Sequence, residues 1–124
     1  MRARTAAIAL SAASMLLLAG CSGGSDAYCE TLREQPAGNY VFNPYIGWGS
    51  GPAEVDSRLA AMDAVGEPPS DIADEWEAWR AHLTAISEAE TAGETPTELI
   101  AAASSGEAAD AGTALSEHYV DACL

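Results

Sequence analysis

A chain of 124 residues with 19 acidic side chains, five arginines and no lysine has room for one small domain. It is too short for a multidomain enzyme or a two-lobed binding protein. All 19 acids lie beyond residue 25 and Arg2 and Arg4 precede it, so loss of a leader leaves Arg33, Arg58 and Arg80 against 19 acids, a formal charge of −16. That balance excludes a protein that tracks nucleic-acid backbones, which needs clustered cations. The lack of lysine excludes Schiff-base chemistry.

Residues 1–20 read as a signal peptide. Arg2 and Arg4 form a short positive region, and the 13 residues Ala6 to Leu18 form an apolar run broken only by Ser11 and Ser14. A membrane span needs about 20 apolar residues, so the run fits a secretory leader. Leu18-Ala19-Gly20-Cys21 resembles the lipobox of bacterial lipoproteins. Small residues at Ala19 and Gly20 suit a narrow protease site, and the Cys21 thiol is the nucleophile that takes a diacylglyceryl group. Cleavage before Cys21 makes it the N-terminus, open to N-acylation. Two acyl chains anchor stably, at roughly 0.8 kcal/mol per buried CH₂. Residues 21–25, which include Gly23, Gly24 and Ser25, read as a lipidated flexible tether, and 26–124 as the domain. The expected location is the extracytoplasmic face of the cell membrane, with the lipid as the only attachment, because anionic headgroups repel so acidic a domain.

With Cys21 assigned to lipid, Cys29 and Cys123 remain. In an oxidising compartment such a pair is expected to be a disulfide. Two thiols 94 positions apart, with no neighbouring ligand pair, match no zinc pattern. A loop of that length is stabilised by about 4–5 kcal/mol on chain-entropy grounds.

The alanine-rich composition, sparse in β-branched residues, predicts helices. The first is expected over Asp26–Glu34, with Tyr28, Cys29 and Leu32 inward. Residues 35–51 follow as a loop. A second helix is expected from Pro52 to Val65, facing inward through Val55, Leu59, Met62 and Val65. A third starts at an N-cap Ser70 and carries Ile72, Trp76, Trp79, Leu83 and Ile86 at spacings of 4, 3, 4 and 3, a core stripe held over four turns. Its early acids Asp71, Asp74 and Glu75 suit the positive end of the helix dipole. Thr95-Pro96-Thr97-Glu98 reads as a capping box for a short helix to about Ala103. The last helix is expected over Glu107–Ala122, with Ala108, Ala111, Leu115, His118, Tyr119 and Ala122 inward. The sum is an all-α, four- to five-helix antiparallel bundle closed by one disulfide.

The loop holds Tyr40, Phe42, Tyr45 and Trp48, four of the eight aromatics. Aromatic-rich loops often mark recognition, which makes these residues the candidate binding loop. The competing reading, which we favour, is that the rings fold over the bundle and supply core volume. Gly47-Trp48-Gly49-Ser50-Gly51 fails the nucleophile-elbow pattern, since Trp48 stands where glycine is needed. It also fails the dinucleotide fingerprint, since Pro52 replaces the third glycine. His82 and His118 are expected at the core boundary. The acidic run Asp71, Asp74, Glu75, Glu77 lacks a glycine-centred calcium loop. No catalytic residue, cofactor or metal site is therefore assigned.

Taken together, Leu18-Ala19-Gly20-Cys21, Tyr28-Cys29, Pro68-Pro69 leading to Ile72 and Trp76, and the closing Tyr119 and Cys123 resemble small secreted lipoproteins of high-GC Gram-positive bacteria. The resemblance implies a helical, disulfide-closed surface domain and no particular activity. The expected function is that of a membrane-anchored, non-enzymatic domain that binds a cell-envelope protein, and not nucleic acid. The alternatives are a bundle that binds a small apolar ligand or lipid, and a cell-envelope enzyme using His82 or His118.

Overall fold

The computed structural model describes residues 23–44 and 52–124. These are all-helical, without a strand among them: α1 (Gly23–Glu34), α2 (Pro52–Val65), α3 (Ala73–Thr91), α4 (Thr97–Ala102) and α5 (Glu107–Cys123). Single 3-10 turns lie at Gly38–Tyr40 and Ser70–Ile72. The leader, Cys21, Tyr45, Trp48 and Ser50 lie outside the described residues.

The helix ends show where local chemistry decides and where it does not. α1 opens at Gly23, ahead of the expected Asp26, so Gly23–Ser25 of the expected tether are helical, with Asp26 in the first turn. Ser70 does not cap α3. Pro69 is extended, the Ile72 N–H bonds the Pro69 carbonyl at 3.2 Å, and the 3-10 turn so formed moves the cap position to Ile72. The capping box is not made either. The Thr97 N–H is already taken by the Thr95 carbonyl at 2.8 Å, so Pro96 holds the cap position with no side-chain bond. The C-terminus of α3 closes on a glycine. Gly93, at φ 76, donates to Glu90 and Glu94 donates to Ala89, a Schellman pair that only a left-handed residue permits.

Side-chain pairs define how the helices run. Asp63 meets Arg80 and Asp56 meets Ser87, so α2 and α3 run in opposite directions. Asp71, just ahead of α3, meets His118, and Trp79 meets Gly112, so α3 and α5 are also opposed. α1 behaves differently. Tyr28 packs on His118 and Arg33 reaches the Cys123 carbonyl, so α1 and α5 advance together. It follows that α1 and α2 point the same way, and the described part of the segment after α1, 35–44, runs back from the level of Cys123 to that of Ser116 and Gly112. This departs from an up-and-down order with short connections throughout.

Leu32, Val55, Met62, Trp79, Leu83, Ile86 and Leu115 are completely buried. The whole predicted stripe of Ile72, Trp76, Trp79, Leu83 and Ile86 is in the core. On α5 the inward set is Ala111, Gly112, Leu115, Tyr119 and Cys123. Ala122 is exposed, and Ala108 and His118 are half-buried, in place of the fully inward positions expected for them. At the end of α5 the Cys29–Cys123 disulfide holds the two Cα atoms 5.2 Å apart, so position 123 faces inward and Ala122 outward. Arg33 then bonds the Cys123 carbonyl, placing a cation at the negative end of α5.

At Gly112, α3, α5 and the segment after α1 approach closely. A Cβ there would lie 2.9 Å from Trp79 Cζ3 and 3.1 Å from the Phe42 carbonyl oxygen. Gly112→Ala is therefore expected to destabilise the domain by about 1–3 kcal/mol despite alanine's better helix propensity. Urea unfolding checks this, and an unchanged or raised midpoint refutes the packing account.

Candidate functional site

The segment after α1 was the leading candidate from the sequence, and the structure divides it. Tyr40 is 68% exposed, whereas Val41 and Phe42 are buried. Phe42 stacks obliquely on Trp76, with ring centroids 5.7 Å apart. Of the four rings nominated, one faces water and one is core, and Tyr45 and Trp48 are not described.

Burying irregular backbone is costly unless its polar groups find partners. Here three consecutive carbonyls are each captured by a different helix. Trp79 Nε1 of α3 donates to Val41 at 3.0 Å, Ser116 Oγ of α5 donates to Phe42 at 3.1 Å, and an Arg58 guanidinium N–H of α2 donates to Asn43 at 2.6 Å. Arg58 is only 2% exposed and also pairs with Glu54 at 2.8 Å. The sequence reading missed Arg58 and Ser116 altogether. The available signal was weak: Glu54 and Arg58 stand four apart on one helix, a spacing usually read as a surface pair.

The histidines occupy different settings. His82 is nine-tenths buried beside Trp79, and its Nε2 has no hydrogen-bond partner. Burial lowers its pKa and keeps it neutral. His118 Nε2 lies 3.4 Å from an Asp71 carboxylate oxygen, and its ring meets Tyr28 edge-on. Burial, followed by the charges of Tyr119 and Asp71, pushes the Tyr28 phenol well above its usual range, so it stays protonated. The hydroxyls of Tyr28 and Tyr119 are buried and have no protein partner. This is a polar knot joining α1, α5 and the turn before α3.

The three arginines of the described domain each bond within the chain: the buried Arg58 with Glu54 and Asn43, the exposed Arg33 with the Cys123 carbonyl, and Arg80 with Asp63 at the surface. Compared with protein-family models, curated proteins and solved structures, the chain matches none. Its own surface chemistry must therefore carry the functional reading. Several open grooves are edged by carboxylates. One, of about 500 Å³ between α3 and α5, has Asp74, Glu75, Glu107 and Asp110 around Ala78, Ala111 and Ala114. Another lies near Asp63, Glu67, Asp74 and Glu77, with Arg80 among them. Among the described residues no three ligating side chains converge as a metal site, and no helix is long and apolar enough to cross a membrane.

Two outcomes follow. Phe42→Ala is expected to cost about 3–5 kcal/mol, whereas Tyr40→Ala should stay within about 0.5 kcal/mol. Equal effects in chemical denaturation refute the division of the segment. The second outcome concerns pH. A histidine whose folded pKa is depressed binds its proton more readily when unfolded, so its contribution is complete above the ordinary value of 6.5 and is lost as pH falls toward the folded value. The Tm of the protein should fall between pH 7 and about pH 5.5, and His82→Leu should flatten that slope. A slope unchanged in the variant removes His82 as its source.

Proposed function

We propose that this chain is a lipid-anchored extracytoplasmic domain of the bacterial cell envelope that acts by binding a cationic protein partner, and not by catalysis. The observation that carries this reading is the disposition of charge. Three arginines stand against 19 acids in the described domain, Arg58 is buried, and Arg33 and Arg80 are bonded to Cys123 and Asp63, so the outer faces present carboxylates with few counter-charges. Such a surface attracts and orients a cationic partner. The lipobox resemblance at Leu18-Ala19-Gly20-Cys21 supports the anchor, and the overall resemblance to small actinobacterial lipoproteins agrees with it. In this reading the fold is a small bundle in which α2, α3 and α5 alternate in direction and α1 joins through one long crossover.

The described geometry favours binding at the outer faces over a ligand pocket beneath the loop. Val41 and Phe42 fill the space there, and Gly112 already meets Trp79 and Phe42 closely. Both histidines are built into packing contacts, His82 against Trp79 and His118 against Tyr28.

Fatty-acid labelling of cells should mark the wild-type protein and not Cys21→Ala, which should leave the membrane fraction. Photo-reactive residues placed singly at Tyr40, Glu77 and Asp121 on intact cells should give a discrete protein adduct that weakens as salt is raised. Label retained in Cys21→Ala refutes the anchor, and the absence of any protein adduct from all three positions refutes the binding role.

A further inference from the structure

Residues 94–105, which carry α4, lie over one side of α3. Ala78, His82 and Ala89 share a face of α3, since steps of four and seven residues each return to nearly the same angle. Ala78 lines the groove shared with the start of α5, and Ala89 lines a cleft with Glu94, Pro96 and Leu99. Between them His82 sits below the joint of α4 and α5, where Ala102, Ser105, Gly106 and Glu107 wall a cleft of about 430 Å³. The imidazole is nine-tenths buried, and its Nε2 is closed to solvent with no hydrogen-bond partner. A buried nitrogen in that state has lost its hydration without replacement.

The covering segment is lightly held. α4 is six residues long and has no buried side chain of its own. Its hold on the domain is the buried Pro96 and Ala103 at its two ends and the half-buried Leu99 against the core. Neither α4 nor the start of α5 has a side-chain cap. Among the described residues, no side chain of 95–105 makes a hydrogen bond or ion pair. At both ends the chain turns through a left-handed glycine, Gly93 at φ 76 and Gly106 at φ 106, and a Cβ at either would meet open space. Few buried contacts between two unencumbered turns favour local opening at less cost than global unfolding.

We propose that residues 94–105 form a flap, jointed at Gly93 and Gly106, that lifts from α3 when the His82 imidazole takes up a proton from solvent. The charged groups facing His82 are all carboxylates. Glu107 stands across the cleft, Glu94 and Glu98 lie beside Ala89, and Glu75 and Asp110 lie beside Ala78. The neighbours of His82 one turn away on α3, namely Ala78, Trp79, Ala85 and Ile86, carry no charge. With the flap closed, burial disfavours the imidazolium and lowers the pKa of His82. With the flap open, water and the carboxylates stabilise that charge. The preference for the closed form is therefore complete above histidine's ordinary value of 6.5 and is lost as pH falls below it. Opening bares the Ala78–His82–Ala89 face of α3 in acid and keeps it covered at neutral pH. This switch does not depend on the partner reading above.

Hydrogen exchange of the full-length lipidated protein in zwitterionic nanodiscs, corrected for the intrinsic effect of pH, tests the flap. Global unfolding also frees His82, so local opening is separated from it by protection and by urea. The Ile100 and Ala103 amides bond the Pro96 and Leu99 carbonyls. They should be at least about ten-fold less protected than the α3 fragment bearing Leu83 and Ile86, and insensitive to low urea, because a small opening exposes little surface. From pH 7.5 to pH 5.5 their protection should fall by about three- to ten-fold, the upper figure being the limit for one proton on a group of ordinary pKa. His82→Gln has no titrating ring and should abolish that pH ratio, which is read within the variant whatever its stability. His118→Gln should preserve it. Protection equal to that of α3 means that the whole domain opens, and overturns the flap. So does a pH ratio near one in the wild type, a ratio that persists in His82→Gln, or one lost in His118→Gln.

Discussion

Trp79, Ser116 and Arg58 supply hydrogen bonds to three consecutive carbonyls of a segment that has no regular ladder of its own, and the rest of the domain is arranged around that capture. A buried carbonyl left without a partner costs about 1–3 kcal/mol. Satisfying Val41, Phe42 and Asn43 from three different helices lets the backbone enter the bundle. Val41 and Phe42 then add the volume that alanine-rich helices lack. Gly112 is the steric counterpart, because only a residue without a Cβ leaves room for the indole and the Phe42 carbonyl together.

This capture also explains the chain path. α1 is held alongside α5 by the disulfide and by the Arg33 bond to Cys123. With α1 running the same way as α2, residues 35–44 travel back along the helices. A polar, solvent-exposed crossover would leave the Trp76–Trp79 face uncovered. Placing Phe42 against Trp76 covers that face and makes Val41 and Phe42 part of the core.

The same contacts shape the surface. Arg58, buried to satisfy backbone, is no longer available to offset outer carboxylates, and Arg33 is held at the end of α5. With no lysine in the chain, folding itself concentrates negative charge outside. Self-repulsion at that charge opposes compaction, and the disulfide, by restricting the unfolded chain, offsets part of it. Stability and surface chemistry are thus coupled: burying Arg58 to support residues 41–43 removes a cation from the surface, and Arg80 is the arginine that remains beside an acidic groove.

Much of this domain was legible in the sequence because helical periodicity is a local property. The Ile72-to-Ile86 stripe, the bounds of α2 and the glycine stop of α3 each depend on residues within a few turns of one another. Pairing Cys29 with Cys123 needed only a cysteine count and a compartment. What the sequence by itself determined was therefore an acidic, helical, disulfide-closed domain. The direction of α1, the inward turn of Arg58, the need for glycine at 112 and the division between Tyr40 and Phe42 were decided only by tertiary structure. Each depends on groups far apart in the chain, such as Trp79 with Val41 or Ser116 with Phe42. Local pattern reports which face of a helix avoids water. It does not report which distant carbonyl will need a donor there.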